Sequence, residues 1–344
     1  MYSTSMRVLY ALEDYPVISE TYVETELDYF LECGIEIAAW CRRPDSKRPP
    51  WRIPIFGGPI QNAVKAWKPD LIHVHWFVVV PSVTVQGLGI PITIRAHSFE
   101  FSADAVRTFT FHRDVLAIFL FPHMLDAFLK HPRGAGLTRE ALAGKVIPLP
   151  STYNEKMFYP EPKVPNTVVR ATAGLNGKDL ENFIDTAREC PEAKFTLITS
   201  IPKEDDSCVR NIVGRNASYG SPVQILTDVP REEAAAIIRR SEICLRSNNP
   251  QGHPFGMPVS IAEAMGSATI PIVRDHEAAK RYVGNAGLYF TTTKEAASSI
   301  RKITADWSLA ESLRKAATDR ARVHMSSTVL PVILGVWAKI KPVL

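Results

Sequence analysis

Apolar residues along this chain fall into short compact runs that alternate with stretches of helical spacing. Met6–Leu12 reads as a first strand, punctuated by Pro16 and Ser19. Ser19 sits where an N-cap belongs, and Tyr22, Leu27, Phe30 and Leu31 follow at roughly helical intervals until Gly34. Ile35–Trp40 is a second strand, so the chain opens β-α-β. Further strands are expected at Leu71–Val74, Ile92–Ala96, Ala117–Phe121 and Val146–Leu149. The second half repeats the alternation. Strands are expected at Val168–Thr172, Lys194–Thr199, Val223–Leu226, Ser241–Leu245 and Thr269–Val273, and helices at Asp179–Glu189, Arg231–Arg240 and Pro258–Met265.

Strands alternating with helices predict an α/β chain with parallel sheets covered on both faces. Pro148, Pro150, Pro160, Pro162 and Pro165 crowd into one short segment. The expected organisation is therefore a Rossmann-like domain at 1–150, a linker at 151–166 and a second Rossmann-like domain at 167–327. The apolar tail 328–344, with Trp337, is expected to pack back on the first domain. Doubly wound sheets bind ligands at the carboxyl ends of their strands, which makes a cleft between the two domains the expected site.

Composition narrows the class. The chain has 344 residues, long enough for two domains, and 40 Lys+Arg against 36 Asp+Glu. So near a balance argues against a nucleic-acid binder. Cys33, Cys41, Cys190, Cys208 and Cys244 are widely spaced with no CxxC, which disfavours a zinc site or disulfide framework and favours the cytoplasm. No signal-peptide pattern opens the chain, and the longest apolar stretch, Val115–Leu129, is broken by Pro122, His123 and Asp126. The basic run from Cys41 to Arg52 is either a solvated loop or a peripheral contact with anionic lipid headgroups.

The most informative stretch is Asn248–Met265, which follows a strand and opens a helix. Pro258 suits the first helical turn, Gly252 and Gly256 permit close backbone approach, and the helix start attracts phosphate. Glu263, about one and a half turns in, can accept hydrogen bonds from ribose hydroxyls.

This stretch resembles the signature of family-4-type glycosyltransferases of the GT-B fold. The resemblance rests on Gly256-Met257-Pro258, on Glu263-Ala264-Met265-Gly266 and on the strand Thr269–Val273, followed by Val283–Tyr289. Tyr15–Val23, Lys68–His75, Ile94–His97 and Val146–Pro160 resemble other parts of that family, so the likeness runs along nearly the whole chain. It implies two doubly wound domains facing across a cleft. It places a nucleoside-diphosphate sugar on the second domain, with Glu263 on the ribose and the N–H groups near Gly256, Met257, Pro258 and Val259 on the diphosphate. His97 would hydrogen-bond the donor sugar or its phosphate, and Ser19 and Glu20 would border the acceptor and donor phosphates.

Departures from the family are specific. The first of its two glutamates falls at Phe255, or at His253 in a longer register. Its phosphate-neutralising Arg/Lys pair survives only as Lys178 in Gly174–Lys178; the arginine position is glycine, with Arg170 nearby. Arg246 and Arg274 each follow a strand and are candidates to replace the missing cation, with salt bridging as the plainer role. His73 and His75 share one face of a strand, but no third metal ligand has sensible spacing. No Asp-x-Asp is present, and no metal or cofactor is expected.

The expected activity is retaining transfer of a hexose from a UDP-, GDP- or ADP-sugar to a hydroxyl of a glycan or lipid-linked acceptor. The missing glutamate motivates one alternative, an inactive nucleotide-sugar-binding subunit; a GT-B sugar-nucleotide epimerase is another.

Overall fold

The computed structural model describes residues 5–17, 20–44, 52–84, 87–97, 102–201, 206–247 and 258–340. The chain forms two compact units, Met1–Pro150 with Ser327–Leu344, and Ser151–Ser326.

The first unit is built on a parallel sheet of seven strands. They are β1 (Arg7–Tyr15), β2 (Glu36–Pro44), β3 (Ile55–Phe56), β4 (Leu71–His75), β5 (Ile92–Arg95), β6 (Val115–Leu120) and β7 (Val146–Pro148), in the order β3-β2-β1-β4-β5-β6-β7. Val8 to Leu12 are completely buried, which is why this strand reads as a continuous apolar run rather than an alternating one. The helix Thr21–Glu32 follows, and Gly34 closes it with a φ of 78° that suits glycine. Its N-cap position is Glu20, whose side chain makes no capping bond; the Ser19 cap expected from the sequence lies outside the described residues. The apolar stretch Val115–Leu129 resolves into β6 and the helix Pro122–Lys130, with Pro122 at its first turn. The C-terminal helix Ser326–Trp337 brings Trp337 against Phe30, ring centroids 4.4 Å apart, in this same unit.

The second unit has six parallel strands. They are β8 (Val164–Ala173), β9 (Lys194–Ser200), β10 (Val223–Thr227), β11 (Ser241–Arg246), β12 (Ile270–Arg274) and β13 (Leu288–Phe290), in the order β10-β9-β8-β11-β12-β13. Period-two alternation feeds both faces. Val168, Ile243, Leu245 and Ile272 join Phe183, Ile184 and Phe195 in one apolar layer. Their neighbours Val169, Cys244 and Val273 join Ile238, Ile261 and Met265 in the other. Each such side chain contributes about 1.5–3 kcal/mol by leaving water.

Residues 151–166, read as a linker from their prolines, are instead packed into this unit. Tyr153 and Phe158 are buried in its core, and β8 already begins at Val164. Gly266 makes that packing possible: a Cβ there would lie 2.4 Å from Cε2 of Tyr153. Both sheets reverse their order beside their first strand, at β1/β4 and at β8/β11. Such switch points open a crevice at the carboxyl ends of the strands.

Candidate functional site

At the β8/β11 switch point the chain gathers cations. Arg246 ends β11 and is buried; its Nη1 donates to Ser260 Oγ at 2.9 Å, while its buried Nε has no hydrogen-bond partner. Among the described residues Arg246 forms no ion pair. Lys178 sits in the turn after β8, half-buried. Burial first, then Arg246 and Arg170, lowers its pKa to about 8.

Arg170 is placed differently from the donor contact expected of it. It is fully buried in β8. Nη1 donates to Asp179 O at 3.1 Å and to Ser247 Oγ, and Nη2 donates to Ser247 O at 2.8 Å and to Lys178 O. Ser247 Oγ in turn donates to Asp179 O at 2.8 Å. Arg170 therefore clamps the Lys178–Asp179 turn onto the end of β11. Arg274 has the salt-bridging role, with Nη1 2.8 Å from Asp179 Oδ2. Gly174, where the resemblance expects arginine, leaves no room for one: a Cβ would lie 2.6 Å from Ser200 O.

Glu263 is buried in the helix Val259–Gly266 that follows, its charge felt by Arg246, Cys244 and Tyr282. Pro258 is one position earlier than expected, at the N-cap, with Val259 as the first helical residue. Tyr282 OH donates to Pro258 O at 3.0 Å, so Ser151 Oγ, 2.9 Å away, must donate to Tyr282. This fixes the entry to the helix. His253, Phe255, Gly256 and Met257 lie outside the described residues.

The first unit contains a second polar cluster, around Glu26. That residue is completely buried on the helix Thr21–Glu32. Its Oε1 is 2.9 Å from Arg95 Nε, and its Oε2 is 3.1 Å from His75 Nε2 and 3.6 Å from His73 Nε2. Burial would raise the Glu26 pKa, but Arg95 and then His75 outweigh it and hold the carboxylate well below its usual range. His75 Nδ1 is 3.2 Å from Nε2 of His97, which is buried just past the end of β5. Burial, with help from His75 and Arg95, holds His97 well below the usual histidine range, so the ring is neutral.

The third group beside His73 and His75, missing from the sequence reading, is thus Glu26. One ligand atom from each lies within 4.8 Å of the others. His75 meets the carboxylate by a hydrogen bond, whereas His73 Nε2, 3.6 Å from it, is buried without a hydrogen-bond partner. Arg95 already neutralises the carboxylate, and a divalent cation beside that guanidinium would meet like-charge repulsion. Glu26 was legible in principle: with Val23, Leu27 and Phe30 it lies on the buried face of its helix, where a carboxylate is out of place unless paired. Arg95, a charge closing the apolar strand Ile92–Arg95, carries the same signal.

No protein-family model matches this chain, and no curated protein sequence does. Solved structures do. The sucrose-phosphate synthase of Thermosynechococcus elongatus superposes with a TM-score of 0.77 over 97% of this chain and 99% of its own, at 15% identity. Anabaena HepE, solved in complex with UDP and glucose, gives 0.76 over 97% and 100%, at 14% identity. WaaG, a glycosyltransferase involved in lipopolysaccharide biosynthesis, gives 0.68 over 97% and 99%, at 11% identity.

The fold is GT-B. On this GT-B chain the remaining expected positions fall as follows. Glu20 precedes the first helix; its Oε2 is buried without a hydrogen-bond partner, and burial followed by Asp14 raises its pKa to about 8. Ser19 lies outside the described residues. In the basic run, Arg42 pairs with Glu13 at 3.0 Å, Arg43 with Glu13 at 3.1 Å and with Asp14 at 3.3 Å, and Arg52 with Glu24 at 2.6 Å. Those arginines are engaged within the unit. Among the described residues, no helix is long and apolar enough to cross a membrane.

Proposed function

We propose that this chain is a glycosyltransferase that takes a hexose from a nucleoside-diphosphate sugar. The observation that carries the reading is the convergence of Lys178 and Arg246 at the end of β11, where Arg246 forms no ion pair among the described residues although the buried Glu263 favours its charge. A lysine whose charge Arg246 and Arg170 disfavour gains from an anion, and a diphosphate supplies one. The GT-B fold supports the reading, as does the binding of UDP and UDP-glucose by HepE.

In this reading Glu263 holds the ribose. Lys178 and Arg246 hold the diphosphate, with the turn at Pro258 and Val259 beside it, and stabilise the negative charge that grows as the sugar departs. His97 meets the sugar. Fixed positive charge does here what a bound metal ion does elsewhere, and transfer proceeds with retention and without a cofactor. The acceptor is a hydroxyl of a glycan or a lipid-linked glycan, reached from the cytoplasm or from the inner face of a membrane.

The test is a thermal-shift series with UDP, GDP, ADP and their sugar conjugates. A ligand at 100 times its Kd adds about 2.7 kcal/mol to stability. One nucleotide raising Tm in wild type, with the shift lost in Arg246→Met, is the expected result. No shift with any of them removes the donor site from the reading.

A further inference from the structure

Three of the prolines that read as a tether in the sequence, Pro160, Pro162 and Pro165, line a cavity of about 520 Å³ in the second unit. That volume is in the range of small-ligand sites. The cavity lies at the amino ends of the strands, where Val164 opening β8 pairs with Ser241 opening β11. Glu242 lines it, and Arg246 ends the same strand four residues later, so roughly 13 Å of β11 separates the cavity from the cation site at about 3.3 Å per residue. Its walls are of two kinds. The prolines supply apolar surface with no N–H groups. Beside them Trp307, which opens the helix Trp307–Ala321, adds a flat ring that is 73% exposed. An apolar patch rimmed by polar groups marks a binding groove more than a packing surface.

The polar wall is built on Arg314, whose guanidinium lies 5.3 Å from the Trp307 ring centroid. Arg314 is buried. Its Nη2 donates to Glu242 Oε1 at 2.7 Å and its Nη1 donates to Glu311, while the buried Nε has no hydrogen-bond partner. Glu242 is buried too, and its Oε2 accepts from Asn166 N at 2.8 Å. This wall discriminates among ligands. An orphaned N–H calls for an acceptor. An anion accepts, but it would lie beside the carboxylates of Glu242 and Glu311. Lys163 offers it no compensation, because its Nζ donates to Arg239 O, Ser267 O and Thr269 Oγ1, and burial followed by Arg314 lowers its pKa to about 7. A cation would lie against Arg314. A hydroxyl accepts from Nε and donates to a carboxylate at the same time. A pyranose combines such hydroxyls around its edge with apolar C–H groups on its face, and the cavity presents a partner to each.

We propose that this cavity is a saccharide-binding site, with Trp307 and the prolines against the C–H face of a sugar ring and Arg314 with Glu311 on its hydroxyls. Binding there needs nothing from the donor cations at the other end of β11. Resting on the glycosyltransferase reading, the occupant is an extended acceptor or product glycan, anchored on the second unit at a point separate from the donor.

Calorimetric titration of the full chain with maltohexaose, cellohexaose, xylohexaose and mannohexaose tests this. At least one should bind, and Trp307→Ala should weaken that binding about tenfold or more, the loss of one well-placed aromatic contact. Trp307→Phe keeps a flat apolar ring and should restore most of it. Trp307 is exposed, so both variants should fold, and the Tm rise given by a nucleotide should be the same in them as in wild type. Absence of binding by all four hexaoses, or binding that Trp307→Ala leaves intact, overturns the proposal. So does inorganic phosphate or a proline-rich decapeptide that binds where the hexaoses do not and is lost in Trp307→Ala, which would make the cavity an anion or peptide site. A chain that binds a hexaose through Trp307 and binds no nucleotide keeps the saccharide site and fails the glycosyltransferase reading alone. A chain that binds nucleotide through Arg246 and no hexaose does the reverse.

Discussion

The two units handle buried charge in opposite ways. In the first, Glu26 and Arg95 cancel at 2.9 Å, and the histidines around them are arranged by hydrogen bonds. In the second, burial, Arg246 and Arg170 depress the charged form of Lys178, and Arg246, whose charge the buried Glu263 favours, forms no ion pair among the described residues. A balanced cluster stabilises its fold and orients its members. An unbalanced one is held together by the surrounding fold and gains from a ligand of opposite sign. Removing a charge should therefore cost stability in the first unit and activity in the second.

The largest effect is expected at Glu26. Glu26→Ala strands Arg95 in a dry interior, which typically costs about 3–5 kcal/mol. Adding Arg95→Met should recover most of that loss, because an apolar pair replaces an orphaned ion. Denaturant melts of the single and double variants measure both. A Glu26→Ala loss below about 1 kcal/mol would mean that the cluster is not a balanced one.

Lys178 provides the opposite limb. Lys178→Ala should lower transfer kcat/KM by about 10²–10³-fold, the usual cost of one group that stabilises developing negative charge. Its Tm should hold or rise, because a repulsive neighbour of Arg246 is gone. The pKa of about 8 adds a second signature. In wild type, kcat/KM for the donor should decline above about pH 8 as the free enzyme loses the Lys178 proton. Lys178→Arg should remove that decline. A pH profile unchanged by the arginine would assign the titration to another group.

How much of this could be read in the sequence differs between the fold and the sites. The long strands were legible because their apolar runs are buried on both faces, as with Val8–Leu12. The edge strands Ile55–Phe56 and Leu288–Phe290 are too short to show a period. Lys178 and Arg246 could be named singly, as residues near strand ends. Their meeting depends on β8 and β11 being neighbours, a property of topology that local pattern does not carry. The internal bonds of Arg170 were illegible for the same reason. Its partners Lys178, Asp179 and Ser247 come together only when β11 returns beside β8. The prolines of 151–166 suggested a tether because proline composition cannot show that Tyr153 fills the space above Gly266.

Buried histidines sharpen the comparison at smaller scale, since both units contain at least one. His73 in the first and His324 in the second are both lowered to about 4, chiefly by burial. Between about pH 6.5 and 4 the unfolded chain binds protons that these rings do not, so both units lose stability as pH falls through that window. His324 accepts no charge partner; its Nδ1 donates to Ser151 O at 3.0 Å. His324→Asn should therefore lessen the acid loss of the second unit and leave that of the first unchanged, as separate spectroscopic probes in each unit would read. Equal effects on both would show that they unfold as one.

The smallest expected effect concerns Glu20, the acidic counterpart of Arg246: a carboxyl with a buried, unpartnered oxygen and Asp14 as its charged neighbour. Its pKa is raised to about 8, first by burial and then by Asp14. Between about pH 4.5 and 8 the folded state therefore holds a proton that the unfolded chain has released. Stability falls as pH rises through that window. Glu20→Gln keeps the shape and cannot ionise. Melts should coincide below about pH 4.5 and separate progressively above it, the variant being more stable by about 2–4 °C at pH 8, equivalent to roughly 1 kcal/mol for a part-exposed group. If a bound ligand brought a cation to Glu20, the wild-type curve would rise toward that of the variant in its presence. A fixed gap at every pH would instead assign the difference to packing.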